Sequence, residues 1–120
     1  MECIQNNIIE VNRGDTFTSE LYLNTGTDLN PVQYILKPGD ELYMGVMEPN
    51  QPFENAIVKK KFTSANLLPN NNVLIRLGPE ETTCLMPGKY FYQIKLKYLN
   101  EYDSYDVNTV VEKTQFIIME

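Results

Sequence analysis

Along residues 89–99 the side chains alternate. Tyr90, Tyr92, Ile94, Leu96 and Tyr98 fall on one face and Gln93, Lys95 and Lys97 on the other, with Phe91 the exception. A period of two is the repeat of a pleated strand with one wet and one buried face. Residues 16–24 follow it too, with Phe17, Leu21 and Leu23 against Thr18, Glu20 and Asn24, although Ser19 interrupts the apolar side. Residues 73–77 form a short segment of the same kind. Further strands are expected at 8–11, 32–36, 41–48, 56–62, 107–112 and 114–119, the last two rich in the Val, Ile and Phe that pack well on a pleated surface.

Helical patterning is weak throughout. Residues 80–85 suit a single turn, since Pro79 fits a first helical position, and no longer helix is expected. Turn signals such as Arg13-Gly14-Asp15, Lys37-Pro38-Gly39-Asp40, Pro69-Asn70-Asn71-Asn72 and Pro87-Gly88 recur about every ten residues, the spacing of a sandwich or barrel. With 120 residues and 42% hydrophobic content, the chain is expected to form one domain over residues 1–120 around one core, with nothing left for a second module.

Charge narrows the range of partners. The formal net charge is −6, and only Lys59-Lys60-Lys61 run together, which disfavours nucleic acid. No apolar run approaches a membrane span, and Met1 to Asn7 has neither the basic nor the apolar region of a secretion signal. Synthesis in a reducing cytoplasm is therefore expected. Cys3 and Cys84 lack metal-type spacing; free thiols are the plainer reading, and a disulfide stays conceivable.

Catalytic equipment is scarce. The chain has no histidine, which removes the commonest general base, the commonest metal ligand and any Ser-His or Cys-His pair. The adjacent acids Glu80-Glu81 and Asp40-Glu41 lie in turn-like sequence and read as solvated charge rather than as a glycosidase pair. The oxygen-rich run from Asn100 to Asp106 lacks the spacing and closing Glu of a calcium loop and reads as a hairpin tip. Arg13-Gly14-Asp15 spells an integrin-recognition tripeptide but reads as a turn, with Gly14 supplying the permissive backbone and Asp15 bonding the backbone beyond it. No enzyme activity, cofactor or metal is expected.

The aromatic residues are more informative. Tyr90 and Tyr92 follow a Pro-Gly turn, where tyrosines often pin a sandwich corner by a hydroxyl bond to the backbone. Tyr98, Tyr102, Asp103 and Tyr105 flank or occupy the hairpin tip and form the candidate interaction surface, either offering contact area or folding back over their own hairpin.

Three segments, taken in order, resemble a known family. They are Ile9-Glu10-Val11-Asn12-Arg13-Gly14-Asp15-Thr16-Phe17, Pro38-Gly39-Asp40-Glu41-Leu42-Tyr43-Met44-Gly45-Val46, and Leu85-Met86-Pro87-Gly88-Lys89-Tyr90-Phe91-Tyr92-Gln93-Ile94. They are similar to the N-terminal immunoglobulin-like β-sandwich of phage upper baseplate and tail-fibre proteins. The resemblance runs from about residue 8 to residue 119. It implies an all-β fold, an antiparallel immunoglobulin-like β-sandwich of about seven to nine strands. It also implies a virion structural or adaptor protein of a phage or prophage, in baseplate, tail or head accessory. The partners would be other virion proteins and a second copy of the chain, with neither nucleic acid nor membrane, and the location the virion or, before assembly, the bacterial cytoplasm. The alternative is a carbohydrate- or protein-binding module of a bacterial protein. Long strands such as residues 89–99 would be open to template a neighbour, and the acidic tip would restrain unwanted edge pairing.

Overall fold

In a computed structural model of the protein, the described residues are 2–3 (backbone only), 8–25, 29–100 and 102–120. The strands are β1 (Glu2–Cys3), β2 (Ile9–Asn12), β3 (Phe17–Leu21), β4 (Leu23–Asn24), β5 (Glu41–Met47), β6 (Val58–Phe62), β7 (Val73–Leu77), β8 (Gly88–Leu99) and β9 (Tyr105–Met119). One helical turn, α1 (Pro79–Thr83), and two 3-10 turns at Phe53–Asn55 and Ser64–Asn66 complete the regular structure. The fold is all-β, as expected.

The main sheet has five strands in the order β2-β9-β8-β5-β6, accompanied by the pairs β3-β7 and β1-β4. Alternation in β8 places Tyr90, Tyr92, Ile94 and Leu96 in the core, where Leu42, Met44 and Val46 of β5 and Ile75 and Leu77 of β7 join the same apolar cluster. Tyr92 meets Phe116 of β9 edge to face at 6.3 Å.

The sheet is mixed, which corrects the wholly antiparallel expectation. β2 runs parallel to β9, with Ile9 opposite Phe116 and Asn12 opposite Met119. Parallel neighbours need a long crossover, and here almost the whole domain intervenes. β8 lies between β5 and β9, so both its ladders are occupied and it cannot template a neighbour. The outer strands of this sheet are β2 and β6.

Two other expectations change. The segment 32–36 forms only an isolated bridge, Asn24 to Gln33. The side chain of Asn24 takes the Val32 amide at 3.0 Å, and that bond competes with a regular ladder. Asn24, expected on a wet face, is fully buried. Conversely, residues 107–112 and 114–119 belong to the single fifteen-residue β9. Its register against β8 slips between Tyr92 and Ile94 and again between Ile94 and Lys95. Each slip accommodates one extra β9 residue, as a β-bulge does. Val110 and Val111 are therefore both buried, against simple alternation.

The Arg13-Gly14-Asp15 turn is docked on α1. Gly14 takes φ +87°, its amide donates to the buried Thr82 hydroxyl at 3.1 Å, and that hydroxyl donates to the Asp15 carbonyl at 2.9 Å. The Arg13 guanidinium donates from Nε and Nη2 to the Thr83 carbonyl at 3.2 and 2.9 Å, satisfying a helix-end acceptor. The tripeptide is structural, and Asp15 contributes its backbone, its amide closing the turn on the Asn12 carbonyl at 3.0 Å. At the next corner the Tyr90 hydroxyl donates to the Met86 carbonyl at 2.8 Å, so Tyr90 is the corner-pinning tyrosine.

The adjacent acids are not simple solvated charge. Glu81 is bonded to Lys60 at 2.5 Å. That bond holds its carboxyl down at about 2, against the opposing effect of burial. Asp40 is buried, accepting from the Tyr34 hydroxyl at 2.6 Å and the Lys37 amide at 3.0 Å. Glu41 faces Lys61 and Lys97, at 3.3 and 3.7 Å. Cys84 carries an exposed free thiol, and the side chain of Cys3 lies outside the described residues.

Candidate functional site

The β8–β9 hairpin ends in a loop organised by one side chain. Asn100 Oδ1 accepts the amides of Tyr102 and Ser104 at 2.8 and 3.1 Å, while its Nδ2 donates to Asp106 at 3.2 Å. The Asn100 amide closes the turn on the Ser104 carbonyl at 2.7 Å. Asp103, at φ +59°, takes the left-handed conformation that Asp tolerates better than most residues. The acid-rich run is thus a hydrogen-bonded hairpin tip.

Strand parity divides the predicted surface. Tyr98 points inward, half-buried, with its ring edge-on to Tyr34 at 6.3 Å and its hydroxyl accepting from Asn108 at 3.1 Å. Tyr102 is 80% exposed beside it. Both line an open depression of about 590 Å³ with Tyr34, Lys37, Leu99, Asn100 and Asp106. Tyr105 is opposite Leu99 on the outward face, with the Lys97 ammonium 4.9 Å from its ring centre. Asp103 stands exposed at the apex, outside the depression. The structure therefore brings Tyr98 and Tyr102 together and separates Tyr105 and Asp103 from them.

Sequence reasoning missed Tyr34 and Lys37 as members of this surface. Tyr34 is fixed by its bond to Asp40, and burial, followed by that bond, pushes its phenol well above the ordinary value. The Lys37 ammonium lies 5.7 Å from the Tyr34 ring centre. A signal for their placement existed. The Lys37-Pro38-Gly39-Asp40 turn leads into β5, and pairing of Glu41 with Lys97 sets that turn beside the end of β8.

A second group of side chains lies over the outward face of the sheet. At Gly45 the ring of Phe53 comes so close that an added Cβ would stand 2.7 Å from it. The ammonium groups of Lys59 and Lys95 sit 5.2 and 5.0 Å from the centre of that ring. Ammonium groups at such distances are attracted by the negative face of an aromatic ring.

Among the described residues, no three His, Cys, Asp or Glu side chains converge as a metal site. No helix there is long and apolar enough to cross a membrane. No protein-family model, curated protein or solved structure matches the chain.

Proposed function

We propose that this chain is a non-enzymatic structural or adaptor component of a phage or prophage particle, built on an immunoglobulin-like sandwich and acting through protein–protein contacts. The strand order supports the sandwich part. With β3, β5, β7, β8 and β9 taken as strands B, C, E, F and G, the G-F-C set lies in one sheet and the B-E pair in another, the immunoglobulin division. The corner bond from Tyr90 to Met86, just before strand F, is a further mark of that fold. The virion part rests on the motif order around Arg13-Gly14-Asp15, Pro38-Gly39-Asp40 and Pro87-Gly88.

The observation that carries the contact role is the hairpin tip. Tyr102 on the loop, and Leu99, Tyr105 and Val107 on the strands that flank it, remain 45–80% exposed, and Asn100 locks the backbone of the loop. Exposed aromatic and apolar area on a fixed backbone loses little entropy on docking. The test is mass spectrometry of particles purified from induced cultures of the source organism. The chain should be found in the particle fraction at a fixed ratio to the other virion proteins. Its confinement to the soluble fraction would refute the reading.

A second reading is favoured by one feature. Tyr34, Tyr98 and Tyr102 line the depression with Lys37 and Asp106, the aromatic and polar mixture that a carbohydrate-binding module uses. Glycan-array binding that is lost in Tyr102→Ala would select it, and a blank array would remove it.

A further inference from the structure

Charge and an open ladder meet at one edge of the main sheet. β6 is an outer strand, and among the described residues no strand pairs with its other side. Alternation exposes Lys59 and Lys61 on its outward face and leaves Lys60 half-buried, turned inward to Glu81. Across β5 the same face carries Lys95, opposite Tyr43, and Lys97, opposite Glu41. Lys59, Lys61, Lys95 and Lys97 with the one carboxylate of Glu41 amount to +3, so the remainder of a chain with net charge −6 carries −9. Lys59 is held over the Phe53 ring, and Lys61, though paired with Glu41 at 3.3 Å, stays half exposed. Lysines already steered by their neighbours lose less rotamer freedom on binding.

We infer that β6 is a docking edge for an extended segment of another protein that carries carboxylates at alternate positions. A strand laid along β6 completes its ladder and projects every second side chain outward, about 6.6 Å apart at about 3.3 Å per residue. Lys59 and Lys61 have that spacing, so two outward carboxylates fall opposite them as cross-strand pairs in either strand direction. Lys95 and Lys97 behind them add to the attraction. Charge also excludes other occupants. A second β6 would set lysine against lysine. No strand from β1 to β9 has two carboxylates two residues apart, and the acidic tip is a closed turn with Asp103 at φ +59° rather than an extended segment. A long polyanion would run off the patch onto the −9 of the remainder. The inference goes beyond the virion reading and does not depend on it. An acidic strand captured by a chain absent from particles would sink only that reading, and a chain found in particles whose β6 takes no strand would sink only this one.

Nuclear magnetic resonance titration of the isotope-labelled full chain tests it, with a capped peptide of about seven residues in which glutamate alternates with valine. At about 50 mM salt the peptide should bind with a Kd below about 1 mM and shift the amides of residues 58–62 most. The Kd should rise several-fold by about 500 mM salt, as screening shortens the reach of the charges. A peptide with lysine in place of glutamate should not bind. Of two peptides methylated on the glutamate or on the valine amides, one should lose binding and the other keep it, because alternate N–H groups point to opposite edges of a strand. Lys59→Gln/Lys61→Gln should weaken the glutamate peptide at least about threefold. Lys59→Glu/Lys61→Glu should exchange the preference and take the lysine peptide instead. Circular dichroism and urea midpoints confirm that each variant folds, and the glutamine pair serves if the reversal does not. Amides of 58–62 that stay unmoved at about 2 mM peptide and low salt would overturn the inference. So would equal binding of the two methylated peptides, which marks attraction without a ladder, or tighter binding of heparin or DNA than of the peptide at these lysines.

Discussion

Gly45 is the tightest point of the outward face, and replacing it by alanine tests how that face is built. The new Cβ would lie 2.7 and 3.0 Å from Cε2 and Cδ2 of Phe53 and 3.1 Å from the Ala56 Cβ. Favourable carbon–carbon contact lies near about 3.5–4.0 Å, so the ring must retreat by roughly 0.8 Å or the strand must bow. Retreat is constrained because the 3-10 turn is tied by Ala56 N–H to the Phe53 carbonyl at 3.1 Å and by Ile57 N–H to the Val46 carbonyl at 2.8 Å. Overpacking of this kind costs about 1–3 kcal/mol. Moving the ring away from Lys59 and Lys95 forfeits contacts worth about 0.5–1 kcal/mol each at exposed sites. Against this, alanine reduces the entropy of the unfolded chain by about 0.4–1 kcal/mol. The net expectation for Gly45→Ala is a destabilisation of about 1–4 kcal/mol in urea unfolding at constant m-value. In a Phe53→Ala background most of that cost should vanish, giving a coupling of at least about 1 kcal/mol in the double-mutant cycle. A single-mutant cost below about 0.5 kcal/mol, or additivity within about 0.5 kcal/mol, would refute the account of Phe53 as a lid over Gly45.

Other perturbations separate the remaining contacts. Tyr90→Phe removes the 2.8 Å bond to the Met86 carbonyl and should cost about 1 kcal/mol in thermal or urea unfolding; a neutral result would deny the corner its role. Thr82→Val leaves the Gly14 amide and the Asp15 carbonyl without the hydroxyl that joins them, at about 1–3 kcal/mol, while Thr82→Ser should retain most of that stability. Glu81 has its carboxyl held at about 2 by Lys60, below an ordinary value of 4.5, so its contribution is complete above about 4.5 and is lost as pH falls towards 2. The stability gap between wild type and Glu81→Gln, about 1 kcal/mol at neutral pH, should close across that window, and a gap independent of pH would exclude the ion pair as its source. Ser19 lines a small cavity of about 60 Å³ between the sheets, with Phe17, Met44 and Ile94 on its walls. Ser19→Val should cover it and stabilise by about 0.5–1 kcal/mol, as read from the urea midpoint.

What the sequence discloses is the part governed by local chemistry. β8 could be read from alternation because one of its faces is buried by a second layer and the other is wet. β7 matches its expected bounds of 73–77 for the same reason. α1 begins at Pro79 because proline's fixed φ suits a first helical position. The misreadings arise where a distant partner decides. Residues 107–119 look like two strands because the extra residues beside Ile94 shift the inward phase part-way along, and a period-two reading has no term for a bulge. Residues 32–36 have strand-like composition, but the Asn24 side chain claims an amide that a ladder would need. The tyrosines of the tip could be listed from sequence, yet their division required the register. Tyr98 is in phase with Leu96 and turns inward, whereas Tyr105 is opposite Leu99 and turns out.

The run Lys59-Lys60-Lys61 shows what that register adds to a reading by composition. In sequence it is one basic cluster, and on that basis it set the limit on nucleic-acid binding. On β6 it becomes two devices. Lys60, in phase with the buried Val58 and Phe62, turns toward α1 and holds Glu81 at 2.5 Å. Lys59 and Lys61 turn outward, where alternation on the neighbouring strands brings Lys95 and Lys97 to the same face. β6 is also an outer strand of the sheet, so its lysines guard a free ladder against indiscriminate pairing. Spacing by two residues on β6 and on β8 thus gathers four of the lysines of an acidic chain on one sheet face. The result is a sheet edge defended by charge, beside a face on which alternation gathers four lysines.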